Sequence, residues 1–270
     1  MNKNNIMQTF SYINDGADLK ASDKRKIIRI SSKGFCIAIL SGEKKAERLF
    51  QYSFNGNDLS FKDKLDAIMT ANQELNIDCA SNAFRFYTQY NVQIPDEFYE
   101  PKNDKITLPL LTENPQDYVP VAEKIDGWNL YNLSAWEKDL HSGIKKKFPD
   151  YELNTVLFSL FPIIARQKED KKILIFVGDN NFTILAADRQ KLLGINSFSF
   201  VDENDFLYYS FAFLRKMYAN TAEISIKLGG NIAQQSSLYT ILNKYFSNVE
   251  MLSFPSNEID NYSYFCDLFE

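Results

Sequence analysis

Histidine is almost missing from this chain: His141 is the only one in 270 residues. A zinc site built from several histidines is therefore excluded, and a Ser-His-Asp or Cys-His arrangement would have to use that single ring. Its neighbours Trp136, Glu137, Lys138, Asp139 and Lys145 read as a charged helical face, so a solvated surface role is expected for it. Cysteine is nearly as scarce. Cys36, Cys79 and Cys266 are odd in number, far apart and without a C-x-x-C pair, which offers neither a disulfide framework nor a zinc site and fits a reducing cytoplasm. Long apolar runs are lacking too. Residues 156–165 fall well short of the roughly 20 needed to span a bilayer, so no integral membrane segment is expected. Residues 1–24, rich in Asn, Asp, Lys and Ser, lack the apolar core of a signal peptide and are expected to be a poorly ordered N-terminal extension.

Positive charge is in deficit, with 30 Lys and Arg against 35 Asp and Glu. No long-range field gathers phosphates, so nucleic acid is not an expected partner. Lys145, Lys146 and Lys147 are most simply cations opposing the dipole at the end of a helix. No G-x-x-x-x-G-K-[ST], G-x-G-x-x-G or G-x-S-x-G motif occurs, which removes the usual support for P-loop, Rossmann and nucleophile-elbow chemistry.

What is present is the composition of an ordinary folded protein, 45% hydrophobic and 24% charged. The length lies between one large domain and two small ones, so two closely packed lobes are expected. The second half reads most clearly. Residues 172–177 are a short apolar strand, and Gly178, Asp179, Asn180 and Asn181 suit a hairpin turn, because Asn, Asp and Gly tolerate left-handed backbone. Residues 182–187 return, and residues 192–201 alternate over Phe198 and Phe200 as a third strand. Asp202 then suits a helix N-cap with Asp205 three positions on, followed by Phe206, Tyr209, Phe213 and Met217 at helical spacing. A strand over 223–228 ends at Gly229 and Gly230, Ser236 or Ser237 caps a helix bearing Leu238, Ile241, Leu242 and Tyr245, and residues 249–254 close the series.

The first half begins alike: strands over 27–30, 35–40 and 46–54, with a turn at Ser31, Ser32, Lys33 and Gly34. A helix follows, capped by Ser60 with Asp63 and carrying Phe61, Leu65, Ile68 and Met69, then a strand over 84–90. Residues 95–150 are less regular, with an extended piece around 128–133 and a helix over 134–148, before a further helix over 157–167. The halves align at their turns, Ile27, Ile28, Phe35 and Ile37 on Leu174, Ile175, Phe182 and Ile184, which points to a duplication.

An α/β unit of three strands, helix, strand, helix, strand (βββαβαβ), present twice, resembles the ribonuclease H-like lobes of the actin-like ATPase superfamily. Over residues 27–254 the sequence is more closely similar to a bacterial family defined only as a domain of unknown function and expected to take that fold. The carriers of this resemblance are Ser31 to Phe35, the run Phe198, Ser199, Phe200, Val201 with Asp205, Phe206, Tyr208 and Tyr209, and Leu228, Gly229, Gly230 with Ser237, Leu238 and Tyr239 beyond. It implies a first lobe over 25–167, a second over 168–270, and a cleft between them near the two hairpins.

In active members of the superfamily each lobe's first hairpin is a phosphate loop with an acidic residue beside small neighbours, and a glycine-paired strand end lies against the adenosine. Here Ser31, Ser32, Lys33 and Gly34 offer no carboxylate, while Gly178, Asp179, Asn180 and Asn181 offer one. Gly229, Gly230 and Asn231 match the third element, although glycine pairs also end strands for purely structural reasons. The resemblance thus implies degenerate nucleotide positions, no catalytic residue, no resident metal or cofactor, and a scaffold that binds a protein partner. The alternative is a divergent ATPase or small-molecule kinase using ATP and magnesium. A two-metal nuclease on the same topology is disfavoured, since Asp179, Asp188, Asp202, Glu203 and Asp205 lie in turns, at a strand end or at a helix start rather than inside central strands.

Overall fold

A computed structural model describes residues 6–14, 23–31, 33–54, 63–64, 66, 77–218, 224–252 and 262–270. The chain divides into two compact units, Met1–Phe158 and Ser159–Glu270, a division that falls inside a helix rather than after it at residue 167.

The first unit contains β1 (Ile6–Ile13), β2 (Arg25–Ile30), β3 (Gly34–Leu40), β4 (Ala46–Phe54) and β5 (Ser81–Phe86). It continues with β6 (Asn91–Pro95), α1 (Asp104–Leu111), β7 (Tyr118–Ile125), β8 (Leu130–Glu137), α2 (Lys138–Lys147) and β9 (Glu152–Thr155), and α3 (Val156–Ala165) crosses the division. The main sheet has six strands in the order β1-β4-β3-β2-β5-β9. β3 is buried along its whole length, which is why Gly34–Leu40 is an unbroken apolar run instead of an alternating one. One face packs Ile28, Ile37, Phe50 and Phe84 against Trp136 and Ile144, and Phe35 stacks on Tyr52 with centroids 4.7 Å apart.

Three expectations are revised in this unit. Residues 6–13 are not a loose extension: they form β1, antiparallel to β4, with Tyr52 donating to the Gln8 side chain at 3.2 Å. Met7, Gln8, Thr9, Ser11 and Ile13 are exposed, so what holds the strand is its pairing with the edge of β4, which no local pattern reveals. The helix expected over 134–148 begins only at Lys138, because Ser134, Ala135 and Trp136 belong to β8, where Ser134 donates to the Val121 carbonyl at 3.1 Å and Trp136 to Ser134 Oγ at 2.8 Å. The extended piece around 128–133 belongs to a separate three-stranded sheet, β6-β8-β7, inserted between β5 and β9. Ser60, Phe61, Leu65, Ile68 and Met69 of the expected first-lobe helix lie outside the described residues, and Asp63, Lys64 and Asp66 are helical.

The second unit contains β10 (Lys171–Val177), β11 (Asn181–Asp188), β12 (Lys191–Ser199), α4 (Glu203–Met217), β13 (Ser225–Gly230), α5 (Ser237–Tyr245), β14 (Asn248–Met251) and α6 (Tyr262–Phe265). Its sheet runs β12-β11-β10-β13-β14, with the first two pairings antiparallel and the last two parallel. The series β4-β3-β2-β5-β9 in the first unit has the same order and the same strand directions. Capping follows the residue types: Asp202 accepts from the backbone N–H groups of Asn204 and Asp205, Asp205 accepts from Val201, and Ser236 accepts from Tyr239. Phe206, Phe213 and Leu214 of α4 and Leu242 of α5 seal the sheet. The closing strand ends at Met251, and Ser253 and Phe254 lie outside the described residues.

Candidate functional site

The two hairpins have matching hydrogen bonding. In the first, Ile30 pairs with Phe35, the Ser31 N–H donates to the Gly34 carbonyl at 2.9 Å and Ser31 Oγ donates to the same oxygen at 3.2 Å. In the second, Val177 pairs with Phe182 and the Gly178 N–H donates to the Asn181 carbonyl at 2.8 Å. Lys33 is exposed and its carbonyl accepts from Phe54, while Ser32 lies outside the described residues. Gly34 has a packing reason: a Cβ there would stand 2.0 Å from the Tyr52 carbonyl oxygen, so the glycine lets β3 close on β4. Asp179 is half-buried in its turn, and Asn180 is exposed, its carbonyl accepting from Phe200 at 3.0 Å.

The second hairpin and the glycine pair come together at the C-terminal end of two parallel strands, the end at which open α/β sheets carry their ligands. Val177 pairs with Gly230, whose φ of +87° places it in the left-handed region, and a Cβ on Gly230 would lie 2.1 Å from the Val177 oxygen. That oxygen accepts from the Asn231 N–H at 2.7 Å. Gly229 is occupied from the other side, since its Cβ would meet Leu252 at 2.6 Å and the Cys266 sulfur at 2.8 Å. Phe265, Cys266, Asp267 and Leu268 of the C-terminal segment are fully buried there, and the Glu270 side chain pairs with Arg166. Both glycines are closely approached, and the atoms that approach them belong to the protein.

The corresponding strand end of the first unit holds a polar cluster with no sequence signal. Glu123 of β7 is buried and accepts from the Thr155 N–H at 2.6 Å, from Thr155 Oγ1 at 2.6 Å and from Asn132 Nδ2 at 2.9 Å. Burial pushes its carboxyl above the usual range, opposed by these hydrogen bonds and by the charge of Arg85. Arg85 is itself fully buried, with its guanidinium carbon 5.8 Å from the centre of the Phe158 ring. An acid in an alternating strand looks solvent-facing until the strand is known to lie against Thr155. His141 also departs from expectation: it is half-buried, edge-on to Trp136 at 6.0 Å, and burial followed by the charge of Lys145 holds its pKa below the ordinary value. Among the described residues no group of three or more His, Cys, Asp or Glu side chains is placed to hold a metal ion, and no helix is long and apolar enough to cross a membrane.

Comparison with known proteins places this architecture. No curated protein matches the chain. A crystal structure from Bacteroides thetaiotaomicron, a protein with actin-like ATPase fold and unknown function, superposes with a TM-score of 0.79 at 18% identity, covering 92% of this chain and 96% of that one. The PilM-PilN type IV pilus biogenesis complex follows at a TM-score of 0.60 and 10% identity over 90% of this chain and 96% of that one. The ethanolamine utilization protein EutJ from Carboxydothermus hydrogenoformans gives 0.50 at 5% identity over 93% and 90%. At these identities the likeness establishes the fold, two ribonuclease H-like lobes of the actin-like ATPase type. A family model matches residues 17–249, and the chain belongs to that family, protein of unknown function (DUF3822).

Proposed function

We propose that this chain is a non-catalytic relative of the actin-like ATPases, working in the cytoplasm as a scaffold that binds a protein partner and needing no nucleotide or metal. The observation that carries this reading is the state of the phosphate-loop positions. Ser31, Ser32, Lys33 and Gly34 supply no carboxylate, and Gly34 serves strand closure. Gly229 and Gly230 are taken up by Leu252, Cys266 and the Val177 carbonyl. Phosphoryl transfer depends on positioned cations and an oriented nucleophile around charge spread over the phosphate oxygens, and Asp179 alone does not supply both loops. The PilM-PilN complex adds that a structure of this fold includes a protein partner, which supports partner binding as the use left to a chain without the acids.

A divergent nucleotide-binding ATPase or kinase is the second reading, favoured by Asp179 lying in the turn beside Gly230 and Asn231. Steady-state hydrolysis of ATP with excess magnesium, run beside a thermal-shift titration, separates the two. The expected result is turnover at background level. A stabilisation by nucleotide without turnover fits a pseudo-enzyme, since any ligand of the native state raises its apparent stability. Magnesium-dependent turnover that disappears in Asp179→Asn with the fold retained overturns the scaffold reading.

A further inference from the structure

The inserted sheet of the first unit carries chemistry that neither hairpin uses. Residues 91–137 hold nine Asp and Glu against three Lys, a formal charge of −6, whereas the whole chain carries −5. The acidity of the protein is thus concentrated in one inserted segment. The same segment turns apolar side chains outward. In α1, Leu108 is buried, but Ile106 is 72% and Leu110 83% exposed, four residues apart on one side of the helix, and Phe98 just before it is 69% exposed. Beside Leu110 opens a cavity of about 480 Å³ lined by Gln89, Tyr90, Glu113, Asn114 and Tyr118. Burial, then Tyr90, Glu137 and Asp117, push the Tyr118 phenol above its ordinary pKa, in keeping with negative surroundings.

We infer that this face docks a basic segment of a protein partner: a short stretch whose apolar side chain covers Ile106 and Leu110 and whose Lys or Arg enters the cavity at Glu113. The exposed leucine and isoleucine account for the apolar part, because grouped apolar side chains on a surface gain by being covered. Charge selects the occupant. A segment of formal charge −6 repels nucleic acid and anionic lipid and attracts a cationic chain, raising its encounter rate and disfavouring acidic competitors. The cavity's amide and hydroxyl groups supply hydrogen-bond partners for an extended backbone. This inference rests on the partner-binding reading and gives it a surface and a partner chemistry.

The test is fluorescence anisotropy with the full chain and two labelled nonapeptides, one alternating Leu and Lys and the other alternating Leu and Glu. The Leu-Lys peptide is expected to bind and the Leu-Glu peptide not, with affinity falling as salt rises from about 50 to about 300 mM. Leu110→Asp is expected to weaken binding at least about tenfold, or 1.4 kcal/mol, and Glu113→Lys several-fold. Both positions are exposed, and an unchanged thermal midpoint shows that the fold is kept. Asp188→Lys in the second unit is expected to leave affinity unaltered. Absence of binding, or equal losses in Asp188→Lys and Glu113→Lys, overturns the inference. ATP turnover in a chain that still binds the peptide through Leu110 breaks the non-catalytic reading and leaves this surface standing; absent binding without turnover breaks this surface alone.

Discussion

The strand after the first three-stranded meander ends differently in the two units, although its register is the same. In the first unit Ile28 faces Phe84 and Ile30 faces Phe86; in the second Ile175 faces Leu228 and Val177 faces Gly230. Arg85 and Phe86 therefore stand where the second unit has Gly229 and Gly230. The first unit closes this place with side chains: Phe86 lies against Trp136 at 4.6 Å, and Arg85 is buried, as is Glu123 of β7 in the inserted sheet. The second closes it with backbone, bending Gly230 onto the Val177 carbonyl and seating the C-terminal segment on Gly229. One topology thus tolerates either device at the same strand end.

The largest effect expected from breaking this contrast is at Gly230. Gly230→Ala combines positive-φ strain with a Cβ 2.1 Å from a backbone oxygen, and should cost about 4 kcal/mol, read as a fall in the urea midpoint at unchanged slope. A loss below about 1 kcal/mol would mean that the strand end relaxes freely. In the first unit the comparable change is Glu123→Ala, which leaves the Thr155 and Asn132 donors buried without their acceptor and Arg85 without its nearby opposite charge. About 3 kcal/mol should be lost, measured the same way, while Gln in place of Glu should cost less because one acceptor oxygen remains.

A smaller and pH-dependent difference should separate the units. The folded-state pKa of Glu123 is raised above its ordinary value of 4.5 by burial. Its contribution to stability is therefore fully present below the unfolded value and is lost as pH rises through the raised folded value. Urea midpoints for the native chain should fall relative to those of Glu123→Gln as pH rises above 4.5, and a constant difference would show that the carboxyl titrates as it does when unfolded. No such dependence is expected from Gly230→Ala, whose cost is steric. The smallest expected effect is at Gly127, also at positive φ but with nothing within 4 Å of a new Cβ: Gly127→Ala should cost about 1 kcal/mol, from backbone strain alone.

Much of the second unit was legible in the sequence because its determinants are local. The turn at Gly178 to Asn181, the Asp202 and Ser236 caps and the apolar stripe of α4 each involve residues within a few positions of one another, and they are observed where residue type puts them. The repeated strand order followed from the same signals, and with it the fold. The first unit was less legible: β1 is a mostly exposed strand held by the edge of β4, and the inserted sheet shortened the helix expected from Ser134 onward.

What the sequence by itself determined was the pair of similar units, the hairpins with their single carboxylate, and the strand end at Gly229 and Gly230. What only the tertiary structure decided was what fills the space around them. Cys266 reaches Gly229, Thr155 reaches Glu123 and Tyr52 reaches Gly34 across long stretches of chain. The same is true of the outward turn of Ile106 and Leu110, residues that a helical apolar pattern alone would bury. The reason is physical. Caps and turns are satisfied by atoms within about four residues, whereas a side chain's burial and its partners depend on which strands and helices pack together, and that choice is made by the whole unit at once.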